Sequence, residues 1–306
     1  MHKTLIAAGA AFTGLTYALG QKVYDSTFQA KPHNWPDHGQ SHRLKEFSHQ
    51  QLMVENQQNG YLIETHLFKP KTESPHIMVV VHGLKSCYRE VLPIAFDYLD
   101  AGINVILYNQ RHTGHTGGSN FTFGLLERFD MERIAALAKH LYPNGWVGVH
   151  GFSMGAATAA FHSELNEAHK NVDFYILDSP FHTMDSTLEA SLANRGFPAL
   201  CRPYLKWSGN VWTSLKDHIK YGDIKPIEAL SKSTTPTLIL HGEKDTTCPL
   251  QGAKLLHEAL KHPFKELKTF PEREHVEAAF LEKETYYHNI WNFIEKYVSK
   301  SGVLTP

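Results

Sequence analysis

The order of apolar runs and helical segments predicts an α/β protein, a mostly parallel sheet covered by helices on both faces, with a short helical insertion near its middle. Three observations carry this. His76–His82 is an unbroken apolar run of the kind a strand buried on both faces shows. Strand-like and helix-like segments alternate from there to the C-terminus. Residues 149–155, Val-His-Gly-Phe-Ser-Met-Gly, join a short strand to a helix through Gly-x-Ser-x-Gly.

Taken in order, Phe47–Glu55 and Tyr61–Lys69 are β-type runs around Asn59-Gly60, a hairpin signal. Arg89–Ala101 has helical spacing and Gly102 closes it. Ile103–Tyr108 is the next strand, followed by the glycine-rich loop Arg111–Gly118. Leu125–Tyr142 reads as a helix that Pro143-Asn144-Gly145 stops. Trp146–His150 and Met154–Ala168 form the strand and helix around Ser153, and Val172–Leu177 is a further strand. Residues 179–235 lack strand periodicity and carry Phe181, Phe197, Trp207 and Trp212, so we read them as a helical cap over the carboxyl ends of the strands. The chain closes with the strand Thr237–Leu240, a helix over Leu250–Leu260, the strand Phe264–Phe270 and one helix over Val276–Val298.

A chain of 306 residues buries a substantial core, and with 20% charged residues it is not disordered. A net charge of −1 without a basic stripe argues against a nucleic-acid partner. Cys87, Cys201 and Cys248 form no CxxC pair, so they suggest neither a disulfide framework nor a zinc ribbon. The 21 histidines are scattered. His112-x-x-His115 and His38-x-x-x-His42 lack matching carboxylate or cysteine partners, so no metal and no cofactor are expected.

Thr4–Gly20 is free of charge after Lys3, and Ala18-Leu19-Gly20 has a small-x-small pattern. Residues 1–22 therefore read as a secretory signal or membrane anchor, 23–46 as a polar linker, and 47–300 as the folded domain. The competing reading is a buried or amphipathic N-terminal helix. The expected location is exported or membrane-anchored with an extracytoplasmic domain, the alternative being cytoplasmic. Membrane contact would run through residues 4–20.

A strand-to-helix turn tight enough to need Gly151 and Gly155 leaves the Ser153 hydroxyl exposed at a helix N-terminus, where it can act as a nucleophile. A serine hydroxyl needs a base, and in such sheets catalytic groups gather beyond the carboxyl ends of the strands. His275, in the loop after the last strand, fits; His257, His262 and His288 sit in or beside helices and read as surface residues. The orienting acid is Asp245, five residues past the strand ending at Leu240, with Asp178 as competitor. Asp178, directly at a strand end, also reads as a simple turn cap; Glu243 and Glu274 are weaker candidates. An oxyanion hole needs two backbone N–H groups, and Met154 and Leu84 supply them, Gly83 letting the Val-Val-Val-His82-Gly83-Leu84 loop turn toward the serine. His82 reads as a structural hydrogen-bonding residue.

With His82-Gly83, Gly151-x-Ser153-x-Gly155, Asp245 and His275 in the order Ser, Asp, His, residues 47–298 resemble the α/β-hydrolase superfamily. Ser153-Met-Gly-Ala-Ala-Thr-Ala and Pro236-Thr-Leu-Ile-Leu-His-Gly-Glu-Lys-Asp245 look like the bacterial serine-aminopeptidase-like hydrolases. The resemblance implies an α/β-hydrolase fold and a Ser-His-Asp triad, and that group's frequent hydrophobic anchor agrees with an export signal. One loop departs: where the family often reads Asp-x-Arg-Gly-His-Gly, this chain has Asn109-Gln-Arg111-His-Thr113-Gly114, keeping Arg111 and Gly114 and replacing the Asp and His.

The expected activity is hydrolysis of a carboxylic ester, thioester or amide through an acyl-enzyme intermediate, on a small substrate with an apolar acyl or alcohol part. Recognition of a substrate amine by Asp185 or Glu189 would instead mark an aminopeptidase, and a non-catalytic binding protein on this fold is the remaining alternative.

Overall fold

The computed structural model describes residues 2–29 and 41–298, with the side chains of 2–12 and of Ser41 left aside. Helix α1 (His2–Thr27) precedes the hairpin of β1 (Ser48–Asn56) and β2 (Tyr61–Lys69). Then come β3 (Ile77–Val81), α2 (Leu92–Asp100), β4 (Asn104–Tyr108), α3 (Glu127–Leu141), β5 (Val147–Phe152), α4 (Met154–His169) and β6 (Phe174–Asp178). The cap holds α5 (Met184–Asn194), α6 (Arg202–Asp217) and α7 (Pro226–Leu230). The chain ends in β7 (Thr237–Gly242), α8 (Leu250–Ala259), β8 (Lys265–Phe270), α9 (Ala278–Leu281) and α10 (Lys283–Tyr297).

The eight strands form one sheet in the order β1-β2-β4-β3-β5-β6-β7-β8. Strands β3 to β8 run parallel, and the hairpin adds β1 and β2 antiparallel at one edge. Every residue of β3, β4, β5, β6 and β7 is buried, the reason these segments read as unbroken apolar runs. One core lies between the sheet and α2 and α10, built around Phe96, Tyr98, Phe174 and Phe293. The opposite core packs Met131, Ile134, Ala156 and Ala160 against Val79, Val149 and Ile239. The α/β-hydrolase architecture expected from the sequence is present.

Two expectations need correction. The final helix is not continuous: Glu282 leaves the helical region at φ −128°, between α9 and α10, and its carboxylate receives the Arg273 side chain at 2.6 Å. The segment expected as a linker is in part structured. Val23–Thr27 completes α1, Phe28 is fully buried, and residues 41–46 form a 3₁₀ turn from which Arg43 donates to both oxygens of Asp100 at 2.8 and 3.0 Å. Residues 30–40, with His38, lie outside the described residues.

Helix α1 crosses α6 where both carry glycine. A Cβ on Gly20 would stand 2.6 Å from the Ser208 carbonyl oxygen, and one on Gly209 would stand 2.6 Å from Val23 Cγ1. Tyr17 packs edge-on against Trp212 with ring centres 4.2 Å apart. Beyond the crossing, the Phe28 ring stacks between Tyr24 and Tyr221 and meets Phe123 at 5.2 Å. Among the described residues no helix is long and apolar enough to cross a membrane, so a spanning anchor over 1–22 finds no support.

Candidate active site

The site is assembled from the carboxyl ends of four parallel strands. Ser153 follows β5 at φ +52°, a region that L-residues rarely adopt. Close backbone approach enforces the turn: a Cβ on Gly151 would lie 2.4 Å from the Gly155 oxygen, and one on Gly155 would lie 2.4 Å from the Val81 oxygen. The Ser153 N–H donates to the Asp178 carbonyl at 2.9 Å, tying the elbow to β6.

His275 Nε2 stands 2.8 Å from Ser153 Oγ, and its Nδ1 stands 2.7 Å from Asp245 Oδ2. A carboxylate oxygen accepts, so Nδ1 carries the proton and Nε2 accepts from the serine hydroxyl. The other Asp245 oxygen, Oδ1, accepts the N–H groups of Thr247 and Cys248, each at 2.8 Å. The Asp245 side chain is fully buried and that of His275 about one quarter exposed. The His275 loop is pressed against the end of β7: the Lys244 N–H donates to the Arg273 carbonyl at 3.0 Å, and a Cβ on Gly242 would strike that same oxygen at 2.3 Å. Buried His241 lies beneath Asp245, 2.7 Å from the Cys248 carbonyl and 3.4 Å from Asp245 Oδ2; burial lowers its pKa.

Leu84 and Met154 both line the cavity of about 400 Å³ onto which Ser153 and His275 open. Met154 opens α4, where backbone N–H groups have no intrahelical partner. The loop carrying Leu84 is held from behind by His82. Its Nδ1 donates to the Gly83 carbonyl at 2.8 Å, and its Nε2 accepts the Gln110 N–H at 3.0 Å. Full burial pushes the His82 pKa down to about 4, which keeps the ring neutral and this pattern fixed. Gln110 in turn donates to the His82 carbonyl and accepts the Thr158 hydroxyl at 2.9 Å.

The other acid candidates lie elsewhere. Asp178 Oδ2 accepts the Tyr286 hydroxyl at 2.6 Å and Oδ1 the Ser179 hydroxyl at 2.8 Å. Behind Tyr286 the bonds continue through His150 Nε2 at 2.8 Å to Tyr98 on His150 Nδ1 at 2.9 Å. In front, Ser179 Oγ accepts the N–H of Val276, the residue after His275, at 3.2 Å. Asp178 is therefore not a turn cap but the acceptor at the centre of a buried network that reaches the His275 loop. Burial raises its pKa to about 6 against the lowering bonds from Tyr286 and Ser179. Glu243 accepts from Thr269, on the exposed surface, and Glu274 is likewise exposed.

The divergent loop after β4 has found its carboxylate on another strand. Glu64 of β2 accepts from Asn109 Nδ2 and from the His115 N–H, both at 2.7 Å, while Asn109 Oδ1 accepts the Tyr88 N–H at 2.8 Å. Gly114 is required here, since a Cβ would meet Asn109 Nδ2 at 2.0 Å and the residue sits at φ +55°. Asp185 and Glu189 do not face the cavity: Asp185 pairs with Lys206 at 2.9 Å, and Glu189 with Arg202 and Lys206 at 3.0 Å. Among the described residues no group of three or more histidines, cysteines or carboxylates could hold a metal.

Sheet order, elbow and cap together define an α/β-hydrolase. Residues 94–301, more than half of the chain, match the Prolyl oligopeptidase family (Peptidase S9). The chain belongs to that family. It is 26% identical over 293 residues to the uncharacterized protein YqkD of Bacillus subtilis, covering 95% of this chain and 93% of that one. Among solved structures, the Pyrococcus furiosus esterase Pf2001 superposes with a TM-score of 0.67 at 20% identity, over 87% of this chain and 96% of that one. The Pyrococcus horikoshii acylaminoacyl peptidase superposes with a TM-score of 0.62 at 15% identity, over 85% of this chain and 43% of that one. At such identities these likenesses speak for the fold. The chain is thus a serine-hydrolase-type α/β enzyme whose neighbours include both esterases and peptidases.

Proposed function

We propose that this protein hydrolyses carboxylic esters through an acyl-enzyme intermediate, with Ser153 as nucleophile, His275 as base and acid, and Asp245 as the orienting acid. The observation that carries the reading is the relay of 2.8 Å and 2.7 Å bonds from Ser153 through His275 to Asp245, on the wall of an apolar cavity. Ser153 Oγ attacks the carbonyl carbon while its proton passes to His275 Nε2, and the developing oxyanion is received by the N–H groups of Leu84 and Met154. Each such donor contributes about 3 kcal/mol to the transition state. The imidazolium, stabilised by Asp245, then protonates the leaving alcohol. Water repeats the sequence and releases the acid.

An amide or peptide substrate is the second reading, favoured by the family to which residues 94–301 belong. The ester reading is preferred because the carboxylates that would bind a substrate amine, Asp185 and Glu189, are engaged with Lys206 and Arg202. The test is turnover of p-nitrophenyl esters against aminoacyl and acylaminoacyl p-nitroanilides by wild type and Ser153→Ala. Ester turnover that Ser153→Ala abolishes supports the proposal; faster anilide turnover replaces it with a peptidase; turnover of neither leaves a binding protein. For location, export rests on the uncharged run Thr4–Gly20. An exported chain would have to keep α1 uncut, since cleavage after Gly20 severs a helix whose next turns wall a cavity.

A further inference from the structure

The Ser153 cavity does not end at the triad. Leu84, Lys85, Phe123, Thr187 and Thr247 line it and also line a second cavity of about 450 Å³. The two cavities adjoin across these five residues, and each is within the range that holds a small ligand. The second chamber is built by elements remote in sequence. Leu19 and Val23 come from α1, Leu188 and Leu192 from α5, and Leu205 from α6. Charged groups stand on its wall as Lys22 on α1 and Arg195 at the end of α5, and Lys85 lies where the chambers meet.

We propose that this second chamber binds a long unbranched alkyl chain of the substrate, so that the enzyme acts on esters carrying such a chain on one side of the scissile bond. The proposal rests on the reading of Ser153 as nucleophile. Three features support it. Water in a chamber lined by leucine, valine and methionine gains few hydrogen bonds, so displacing it with methylenes is favourable. A peptide would bring N–H and C=O groups that need partners at every residue, whereas Leu19, Val23, Met184, Leu188, Leu192 and Leu205 give the wall a continuous set of apolar side chains that suits methylenes. The glycine-on-glycine crossing of α1 and α6 brings the two helices close enough to wall the space, and Phe28, buried against Phe123, pins the C-terminal end of α1 to a residue that lines both chambers.

The full-length protein is assayed with two mirrored series: p-nitrophenyl esters from acetate to dodecanoate, and acetates of alcohols from ethanol to dodecanol. One series is expected to rise in kcat/KM by up to about fourfold per added methylene until the chamber is filled, the other to stay flat. The rising series identifies whether the acyl or the alcohol chain enters. Ser191→Phe, which adds bulk at a half-buried wall position, is expected to lower the long-to-short ratio of kcat/KM at least tenfold, and Leu192→Ala to move the optimum to longer chains. Ester turnover with Ser153 labelled by a fluorophosphonate, but with neither series rising or with both variants keeping the wild-type ratio, overturns the chamber and leaves the nucleophile standing. No turnover and no labelling overturns both. The two series on the unaltered protein decide the matter even where a variant fails to fold.

Discussion

Asp245→Asn tests the proposed role of Asp245 as the orienting acid with almost no change of shape. In the native site Asp245 Oδ1 is held by the Thr247 and Cys248 N–H groups at 2.8 Å each. An asparagine keeps those bonds only by placing its own oxygen there, which puts the amide NH₂ where Oδ2 stood, 2.7 Å from His275 Nδ1. Two donors then face each other. The flipped amide is worse, because it turns NH₂ toward two backbone donors and strands both, at about 1–3 kcal/mol each. The imidazole resolves the conflict by moving its proton to Nε2, facing Ser153 Oγ, where it can no longer take the serine proton. Loss of the correct tautomer lowers kcat about 10⁴-fold, on the order of 5 kcal/mol in the barrier. Asp178→Asn keeps an acceptor for Tyr286 and should cost less than about tenfold, since Asp178 touches the His275 loop only through Ser179. The assay is steady-state kcat on a p-nitrophenyl ester, with circular dichroism and thermal melting to show that both variants fold. If Asp178→Asn loses more activity than Asp245→Asn, or Asp245→Asn keeps a tenth of wild-type kcat, the assignment of the acid fails.

Two further outcomes follow from the surrounding network. Glu64→Ala removes the acceptor shared by the His115 N–H and Asn109 Nδ2; because Glu64 is buried, denaturant unfolding should show a loss of about 1–3 kcal/mol, and an unchanged midpoint would remove Glu64 as the support of the loop after β4. His150 is fully buried, and burial pushes its pKa down to about 3 from 6.5, so the unfolded chain binds the extra proton below pH 6.5 and stability falls with acidification. Relative to His150→Gln, wild type should lose about 2 kcal/mol between pH 7 and pH 5, approaching 1.36 kcal/mol per unit, measured by urea unfolding at both pH values; a parallel response of the two proteins would mean that His150 is not the source.

The strands, the elbow and the order of Ser153, Asp245 and His275 were legible because each is written in a short stretch of sequence. Burial on both faces forces an apolar run, and a steric collision at Gly151 or Gly155 forces a glycine. What stayed hidden depends on pairs far apart in the chain. The charge-free run in α1 resembles an export signal when read alone, and only its crossing with α6 at Gly20 and Gly209 shows that its second half is built into the cap. The missing loop carboxylate is supplied by Glu64 from a neighbouring strand, which no local motif announces. Likewise Tyr98 and Tyr286 come from helices α2 and α10, and His150 and Asp178 from strands β5 and β6, so they form a network only once the sheet and its helices pack together. The break at Glu282 reflects its pairing with Arg273 across a turn, against a local sequence that continues the helical pattern.

The central claim is that Ser153 is a nucleophile activated by His275. Its most direct measurement is mass spectrometry of the protein after reaction with a fluorophosphonate, with the modified peptide sequenced. The account predicts one adduct per chain, on Ser153, forming rapidly in wild type and at least a hundredfold more slowly in His275→Ala. An adduct on another residue, or labelling of Ser153 at the same rate without His275, would contradict it.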